Sequence, residues 1–272
     1  MTTMELKGQT AVVTGAASGI GRAISIALAQ RGCDVALIDL NEAGLAETAA
    51  LLTPFNIRTT SHRTDMGDAQ AILALPDAVT AAHGRVDILV NNAGVAVGGR
   101  FEEITTENFE WLFNINFWGV VRMTRAFLPM LKASPDARII NISSIYGIIA
   151  PPEQSAYVAS KFAVRGFTQS LRHELANTNI SVTVVHPGGI ATSIVDNARV
   201  PAHRTQDEIA KGRAETKRFL TMPPSVAAEI IVKAALARKG RVLVGRDAKF
   251  AAFFERLFPV DYWAKLQRLR RP

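Results

Sequence analysis

The chain has 272 residues, of which 48% are hydrophobic and 20% charged, and it carries a formal charge of +7. That length suits one large α/β domain or two small ones, and the composition excludes a disordered or fibrous chain. No apolar run approaches the roughly 18 residues of a membrane-spanning helix, Met1 to Thr10 lacks the layout of a signal peptide, and Cys33 is the only cysteine, which fits a reducing cytoplasm.

The elements alternate in type along the chain. Ala11 to Val13 reads as a buried strand, and Ile20 to Gln30 as a helix ending near Gly32. Val35 to Ile38 is the next strand, followed by a helix over Glu42 to Leu52. Ile57 to Arg63 is a weaker strand, Ala69 to Ala82 a helix with a candidate break at Pro76, and Val86 to Val90 a clear strand. Thr105 to Leu131 reads as one long helix, irregular near Asn116 because Asn is a poor helix-interior residue. Arg138 to Ile142 is a strand, Ser155 to Asn177 a helix and Val182 to Val185 a strand. Ile190 to Thr221 is polar and basic, with no turn pattern that fixes its structure. Pro224 to Arg238 is a helix with Pro near its start, and Arg241 to Val244 a last strand. Near-continuous apolar strands between helices predict a parallel sheet covered on both faces. Ligands bind such sheets beyond the carboxyl ends of the strands, where the strand order reverses.

The loop after the first strand is Thr14-Gly15-Ala16-Ala17-Ser18-Gly19-Ile20-Gly21. Glycines permit a tight turn and close backbone approach, and the helix start offers N–H groups and a positive dipole end to a pyrophosphate. The same letters also suit a merely structural turn, but their place between strand and helix favours the binding reading. Asp39 closes the second strand, 18 residues after Gly21. A carboxylate there can accept bonds from both hydroxyls of an adenosine ribose and repel a 2′-phosphate, which favours NAD over NADP; a cap or turn aspartate is the plainer reading. Asp65, after the third strand, reads either as an adenine contact or as a cap. Asn91-Asn92-Ala93-Gly94 follows the fourth strand, where small residues let a nucleoside pack on the backbone or simply make a turn.

Tyr157 and Lys161 are four apart in a predicted helix, so they share a face. A nearby ammonium is expected to lower the phenol pKa, making Tyr157 a base for an alcohol or an acid for a ketone. The bland alternative is a solvated helix face. Ser144 follows the fifth strand, at the ligand edge, and precedes Tyr157 by thirteen residues. Its hydroxyl can hold a substrate oxygen or simply cap a loop.

Together these residues resemble the short-chain dehydrogenase/reductase family over roughly Leu6 to Gly245. The resemblance rests on T-G-x-x-x-G-x-G at Thr14 to Gly21, N-N-A-G at Asn91 to Gly94, Asn116, Ser144, Tyr157-x-x-x-Lys161, and Pro187-Gly188 with Thr192 four residues after Gly188. It implies an α/β fold: a single Rossmann-type doubly wound parallel sheet of about seven strands, with helices on both faces. It implies that Tyr157 is the catalytic acid/base, that Lys161 binds a nicotinamide ribose and depresses the Tyr157 pKa, that Ser144 polarises the substrate oxygen, and that Asn116 holds a water in a proton relay. Cofactor contacts carried over are Gly15, Ser18, Gly19, Ile20, Gly21, Asp39, Asp65 and Met66 at the adenosine and pyrophosphate end. Asn92, Ala93 and Gly94 would pack along the cofactor, Ile190 and Thr192 would position the nicotinamide amide, and Pro187, Gly188, Tyr157 and Lys161 complete the implied cofactor contacts.

The expected function is hydride transfer between NAD(H) and a secondary alcohol or ketone. An NADPH-dependent ketoreductase and a non-catalytic dinucleotide-binding protein stand as alternatives. The substrate loop would be 193–221, and Val95, Ser144, Ile145, Tyr146, Gln154 and Gly189 are the candidate substrate contacts. Val95, Ile145 and the nearby Ile148-Ile149 suggest an apolar pocket and a hydrophobic substrate. No helix-turn-helix or zinc-ligand spacing supports nucleic acid, and no metal is expected. A homo-oligomer, dimer or tetramer, is implied. The expected domain is 1–245, and 246–272 is a tail, a departure from the family. Its Phe250, Phe253, Phe254 and Leu257 form an i, i+3, i+4, i+7 stripe, followed by Phe258, Tyr262, Trp263, Leu266 and Leu269. The tail reads either as a helix packed on the subunit or a symmetry mate, or as a peripheral membrane anchor. The excess charge sits in two places: Arg199 to Arg218 has six basic and three acidic residues, and Arg246 to Pro272 has seven and three, leaving the rest neutral.

Overall fold

In the computed structural model, which describes residues 6–270 and the side chains of 6–268, a seven-stranded sheet runs in the order β3-β2-β1-β4-β5-β6-β7. The strands are β1 (Thr10–Thr14), β2 (Asp34–Asp39), β3 (Thr59–Arg63), β4 (Ile88–Asn91), β5 (Ala137–Ile142), β6 (Ile180–Pro187) and β7 (Arg241–Val244). Every neighbouring pair is parallel. Strand order reverses between β1 and β4, as expected of a doubly wound sheet.

Strand periodicity sorts the core. Ala11, Val13, Val35 and Leu37 face a layer built on α1 (Gly19–Ala29), α2 (Glu42–Leu52) and α8 (Pro224–Leu236). Val12, Ala36 and Ile38 face the opposite layer, on α3 (Ala69–His83), α5 (Gly119–Ala133) and α6 (Ser155–Glu174). Pro76 does not break α3: the buried face of Ile72, Leu75, Val79 and His83 runs past it, which is enough packing to carry one missing backbone bond.

Three segments differ from the sequence expectation. The long helix is two helices, α4 (Thr106–Phe113) and α5, joined by a π-helical turn over Asn114–Trp118 that contains Asn116. The polar stretch 190–221 contains a helix, α7 (Gln206–Lys217), opened by a capping box in which Thr205 and Glu208 bond each other's backbone N–H. The C-terminal segment forms α9 (Arg246–Leu257) and α10 (Tyr262–Arg270). These helices fold back on the body: Ala251, Ala252, Tyr262 and Trp263 cluster with Ile148, Ile149 and Leu243, and the Ala150 N–H donates to the Tyr262 hydroxyl (2.7 Å). Among the described residues, no helix is long and apolar enough to cross a membrane. The Leu269 side chain and residues 271–272 lie outside the described residues.

Candidate active site

The glycine turn after β1 is closed by packing that only glycine permits. Gly15 has φ +67°, and a Cβ there would lie 2.7 Å from Asn92 Nδ2; a Cβ at Gly21 would lie 2.1 Å from the Gly15 carbonyl oxygen. The turn thereby abuts the Asn92-Ala93-Gly94 segment after β4. Thr14 ties the two together: its hydroxyl donates to the Val90 carbonyl and accepts from the N–H groups of Asn92 (2.9 Å) and Ala93 (3.1 Å). Helix α1 starts beside it with no side-chain cap from Ser18 and no acid in its first turn. Its N-terminal N–H groups and positive dipole end are left for an anion. Gly19 faces Thr192, whose Cγ2 would be 3.1 Å from an added Cβ. A pocket of about 500 Å³ opens at this edge, lined by Gly19, Arg22, Thr192, Ser193, Asp196 and Lys217. These features suit a nucleotide-like ligand with a pyrophosphate over Gly19 and Ile20.

Asp39 sits half-buried at the end of β2, with Oδ2 accepting from the Ala17 N–H (3.0 Å) and Oδ1 from the Asn41 N–H (3.0 Å). It therefore holds the glycine turn while each oxygen keeps a second lone pair for a ligand. The cap of α2 is Asn41, not Asp39. Asp65 is exposed and accepts from the Gly67 N–H (2.7 Å), and the cap of α3 is Asp68. Met66 is buried against α5, where a Cβ on Gly119 would meet its carbonyl oxygen. Arg22 lies on α1 as expected and is engaged by the Ala17 and Gly44 carbonyls, Thr48 and Glu47.

Past β5, Ser144 opens a 3₁₀ turn over Ile145–Gly147, and its hydroxyl accepts from the Tyr146 N–H (3.1 Å). Tyr157 on α6 stands beside Ser144 and meets the Tyr146 ring edge-on, centroids 6.1 Å apart. Lys161 is 3% exposed; its Nζ donates to the Ile142 carbonyl (3.2 Å) and lies 5.5 Å from the Tyr157 ring centroid. The expected depression of the phenol pKa is not what the protein's own groups produce. Burial pushes Tyr157 up to about 12, with the Ser144 bond working against it, and burial pulls Lys161 down to about 8.

Asn116 joins this cluster from the π-turn. Its Oδ1 accepts from the Val95 N–H (2.8 Å), and its Nδ2 donates to the Val95 carbonyl (2.9 Å) and Ser160 Oγ (3.3 Å). The extra residue of the π-turn aims this side chain at the loop after β4. A Cβ on Gly94 would sit 3.2 Å from Asn116 Oδ1 and 3.4 Å from Lys161 Nζ, so the small residue keeps a cradle open there. The side-chain amide is thus engaged by the Val95 backbone and Ser160.

The candidate substrate contacts fall into two walls. Val95 and Tyr157 pack in an aromatic-rich cluster with Val97, Leu112 and Phe113. Ile145 and Tyr146 belong to the cluster under the C-terminal helices. Ile148 and Ile149 are buried in that cluster, as the seat of those helices. Gln154 lies near Gly98. Gly189 is hemmed in by the lid, since a Cβ there would strike the Phe219 carbonyl. Ile190 is buried and pairs with Met222.

Sequence reasoning passed over two residues. His186, fully buried at the end of β6, places Nδ1 2.9 Å from the Ser144 carbonyl, so Nδ1 carries the proton and donates. Burial pulls this histidine down to about 4. Asp247, at the start of α9, accepts from the Gly189 N–H (2.6 Å) and packs on Gly188. No local pattern marks either residue; each matters through a contact made far along the chain. The basic 193–221 segment is tied to the body, where Arg199 stacks on Trp111 at 3.5 Å and Arg204 pairs with Glu103, and it is braced internally by Lys217 on Asp196.

The family model for short chain dehydrogenase matches residues 9–202. A putative oxidoreductase, SadH, of Mycobacterium tuberculosis is 42% identical over 258 residues, covering 94% of this chain and 93% of that protein. A crystal structure of a short-chain dehydrogenase/reductase from Burkholderia phymatum in complex with NAD aligns with TM-score 0.84 at 30% identity, covering 96% of each chain. A short-chain dehydrogenase from Mycobacterium paratuberculosis bound to NAD aligns with TM-score 0.77 at 28% identity, covering 90% of this chain and 98% of that one.

Proposed function

The chain belongs to the short-chain dehydrogenase/reductase family of oxidoreductases, and from that premise we propose that it transfers a hydride between NAD(H) and a hydrophobic secondary alcohol or ketone, with Tyr157 as acid/base. One observation carries the reading: Tyr157 stands beside Ser144 with the buried Lys161 ammonium 5.5 Å from its ring centroid, on the same sheet edge as an uncapped helix start and a glycine cradle. Gly15, Gly19, Ile20 and Gly21 would seat the pyrophosphate, with Ser18 at the rim. Asp39 would take the adenosine ribose, and Asp65 and Met66 the adenine. Asn92 to Gly94, Pro187, Gly188, Ile190 and Thr192 would line the nicotinamide half, an assignment supported by the glycine contacts described above.

NAD supplies the hydride acceptor when bound oxidised and the donor when bound reduced. The protein's part is positioning and proton transfer. Tyr157 takes the hydroxyl proton of an alcohol, or gives its own to a ketone oxygen. Ser144 donates a hydrogen bond to that oxygen. Lys161, when charged, stabilises the phenolate left behind, an effect stronger in a water-poor site. The Asp39 carboxylate favours NAD by repelling a 2′-phosphate. Val95, Ile145 and Tyr146 give an apolar reception to the substrate body, with Gln154 and Gly189 at its margins.

A panel of apolar and polar secondary alcohols, each with NAD⁺ and NADP⁺, tests this reading. The expected result is NADH formation with apolar members and at least tenfold slower reaction with NADP⁺. Absence of turnover across the panel in both directions would contradict it.

A further inference from the structure

The stripe of large apolar residues on α9 faces water. Phe250, Phe253 and Leu257 are 50%, 62% and 53% exposed, and Val260 just beyond them is 87% exposed. The buried side of the helix is the small one, Ala248 and Ala251. Arg246, Lys249 and Arg256 are also exposed and fall on the same side at i, i+3 and i+10. The outward strip Arg246, Lys249, Phe250, Phe253, Arg256 and Leu257 therefore holds three cations, three large apolar groups and no carboxylate. Asp247 is exposed but lies to the side of the strip, about 100° round the helix from Arg246, and is bonded to the Gly189 N–H; Glu255 is half-buried, and Asp261 lies beyond the strip. Phe250 stacks on Phe254, which in turn meets Phe258 at a tilt.

We propose that this strip of α9 docks the enzyme on an anionic lipid surface. The helix would lie in the interface, its rings among the upper acyl chains and its cations at the headgroups. Charge selects this occupant. In a twofold pairing the strip would meet itself and set three cations against three more, whereas an anionic bilayer offers apolar depth and negative charge together. The helix spans about 18 Å along that surface. Its inner face covers Ile148 and Ile149, and Asp247 holds Gly189, so docking brings the loops around Ser144 and Gly189 within about one helix diameter, roughly 10 Å, of the lipid. A substrate dissolved in the bilayer would reach the enzyme on that side. The docking itself does not depend on the reaction proposed above.

Sedimentation of the full chain with vesicles tests the proposal. One set is pure phosphatidylcholine, the other equal parts phosphatidylcholine and phosphatidylglycerol. The expected result is binding to the mixed vesicles, weakened by salt, and little to the pure ones. Lys249→Glu with Arg256→Glu should weaken mixed-vesicle binding roughly a hundredfold, and Phe253→Ser with Leu257→Ser at least tenfold. Both variants should keep the wild-type melting temperature, and turnover without vesicles should be unchanged where activity is present. No vesicle binding, equal binding to the two compositions, or variants that bind like wild type would overturn the proposal. A dimer lost in the Phe253→Ser, Leu257→Ser variant without any vesicle binding would assign the face to a second copy and overturn it as well.

Discussion

Lys161 and Tyr157 are a buried pair pushed in opposite senses, Lys161 down to about 8 and Tyr157 up to about 12. The consequence for stability follows from proton linkage. Between about pH 8 and pH 10.5 the unfolded chain binds a proton at Lys161 that the folded chain does not, so stability rises with pH across that window. Above pH 10 the Tyr157 shift works the other way, because the folded phenol keeps a proton the unfolded one has lost. Lys161→Met removes the first effect and leaves the second. The variant should therefore exceed the wild type in unfolding free energy by up to about 3 kcal/mol below pH 8, with the gap closing towards pH 10.5; denaturant titrations at a series of pH values check this. A gap independent of pH would contradict the assignment. The four-residue spacing of Tyr157 and Lys161 was legible in the sequence, but the direction of the phenol shift was not. Helix periodicity says that two side chains share a face; it does not say how far each is removed from water.

The π-turn at Asn114–Trp118 shows what an element adds to its residues. A regular helix would carry Asn116 past the loop after β4, whereas the inserted residue turns its amide onto both backbone groups of Val95. Asn116→Ala should leave those part-buried groups without this partner and lower the unfolding free energy by about 1–3 kcal/mol, measured by denaturant unfolding. A loss under about 0.5 kcal/mol would mean that the bonds are not holding the loop. The irregularity was readable from Asn in a helix interior, though its π character was not. The strands were readable because Val12 and Val13, or Ala36 and Leu37, face opposite buried layers. Helix α7 had a readable start as well, the Thr205-x-x-Glu208 capping box, but none of its residues is buried, so no apolar period flagged it. In α9 the apolar stripe is not the face that packs on the subunit: Ala248 and Ala251 allow close approach to Ile148 and Ile149, and the larger groups are left outside.

At the scale of the whole molecule, the sheet brings together loops that the chain separates widely. Ser144, Tyr157, Gly189 and Asp247 converge because β5, β6 and β7 end at one edge, and no local pattern announces the Asp247 contact. The C-terminal helices are accordingly part of the packed body and not an appended tail. A chain ending at Gly245 would expose Ile148, Ile149 and Leu243 and free the Gly189 N–H. It should melt at least several degrees lower than the full chain or aggregate, as read by thermal unfolding; an unchanged midpoint would contradict the packing described. The charge also has a place in this body: in the lid it pairs with Glu103 and Asp196 or stacks on Trp111, and on α9 it stays exposed. The central claim is that one phenol performs proton transfer in a site whose cofactor grip lies elsewhere. Tyr157→Phe, assayed with the best alcohol of the panel and by calorimetric titration with NADH, tests it most directly. The account predicts a loss of turnover of about a thousandfold or more with NADH affinity within a few-fold of wild type, and substantial turnover retained by the variant would contradict it.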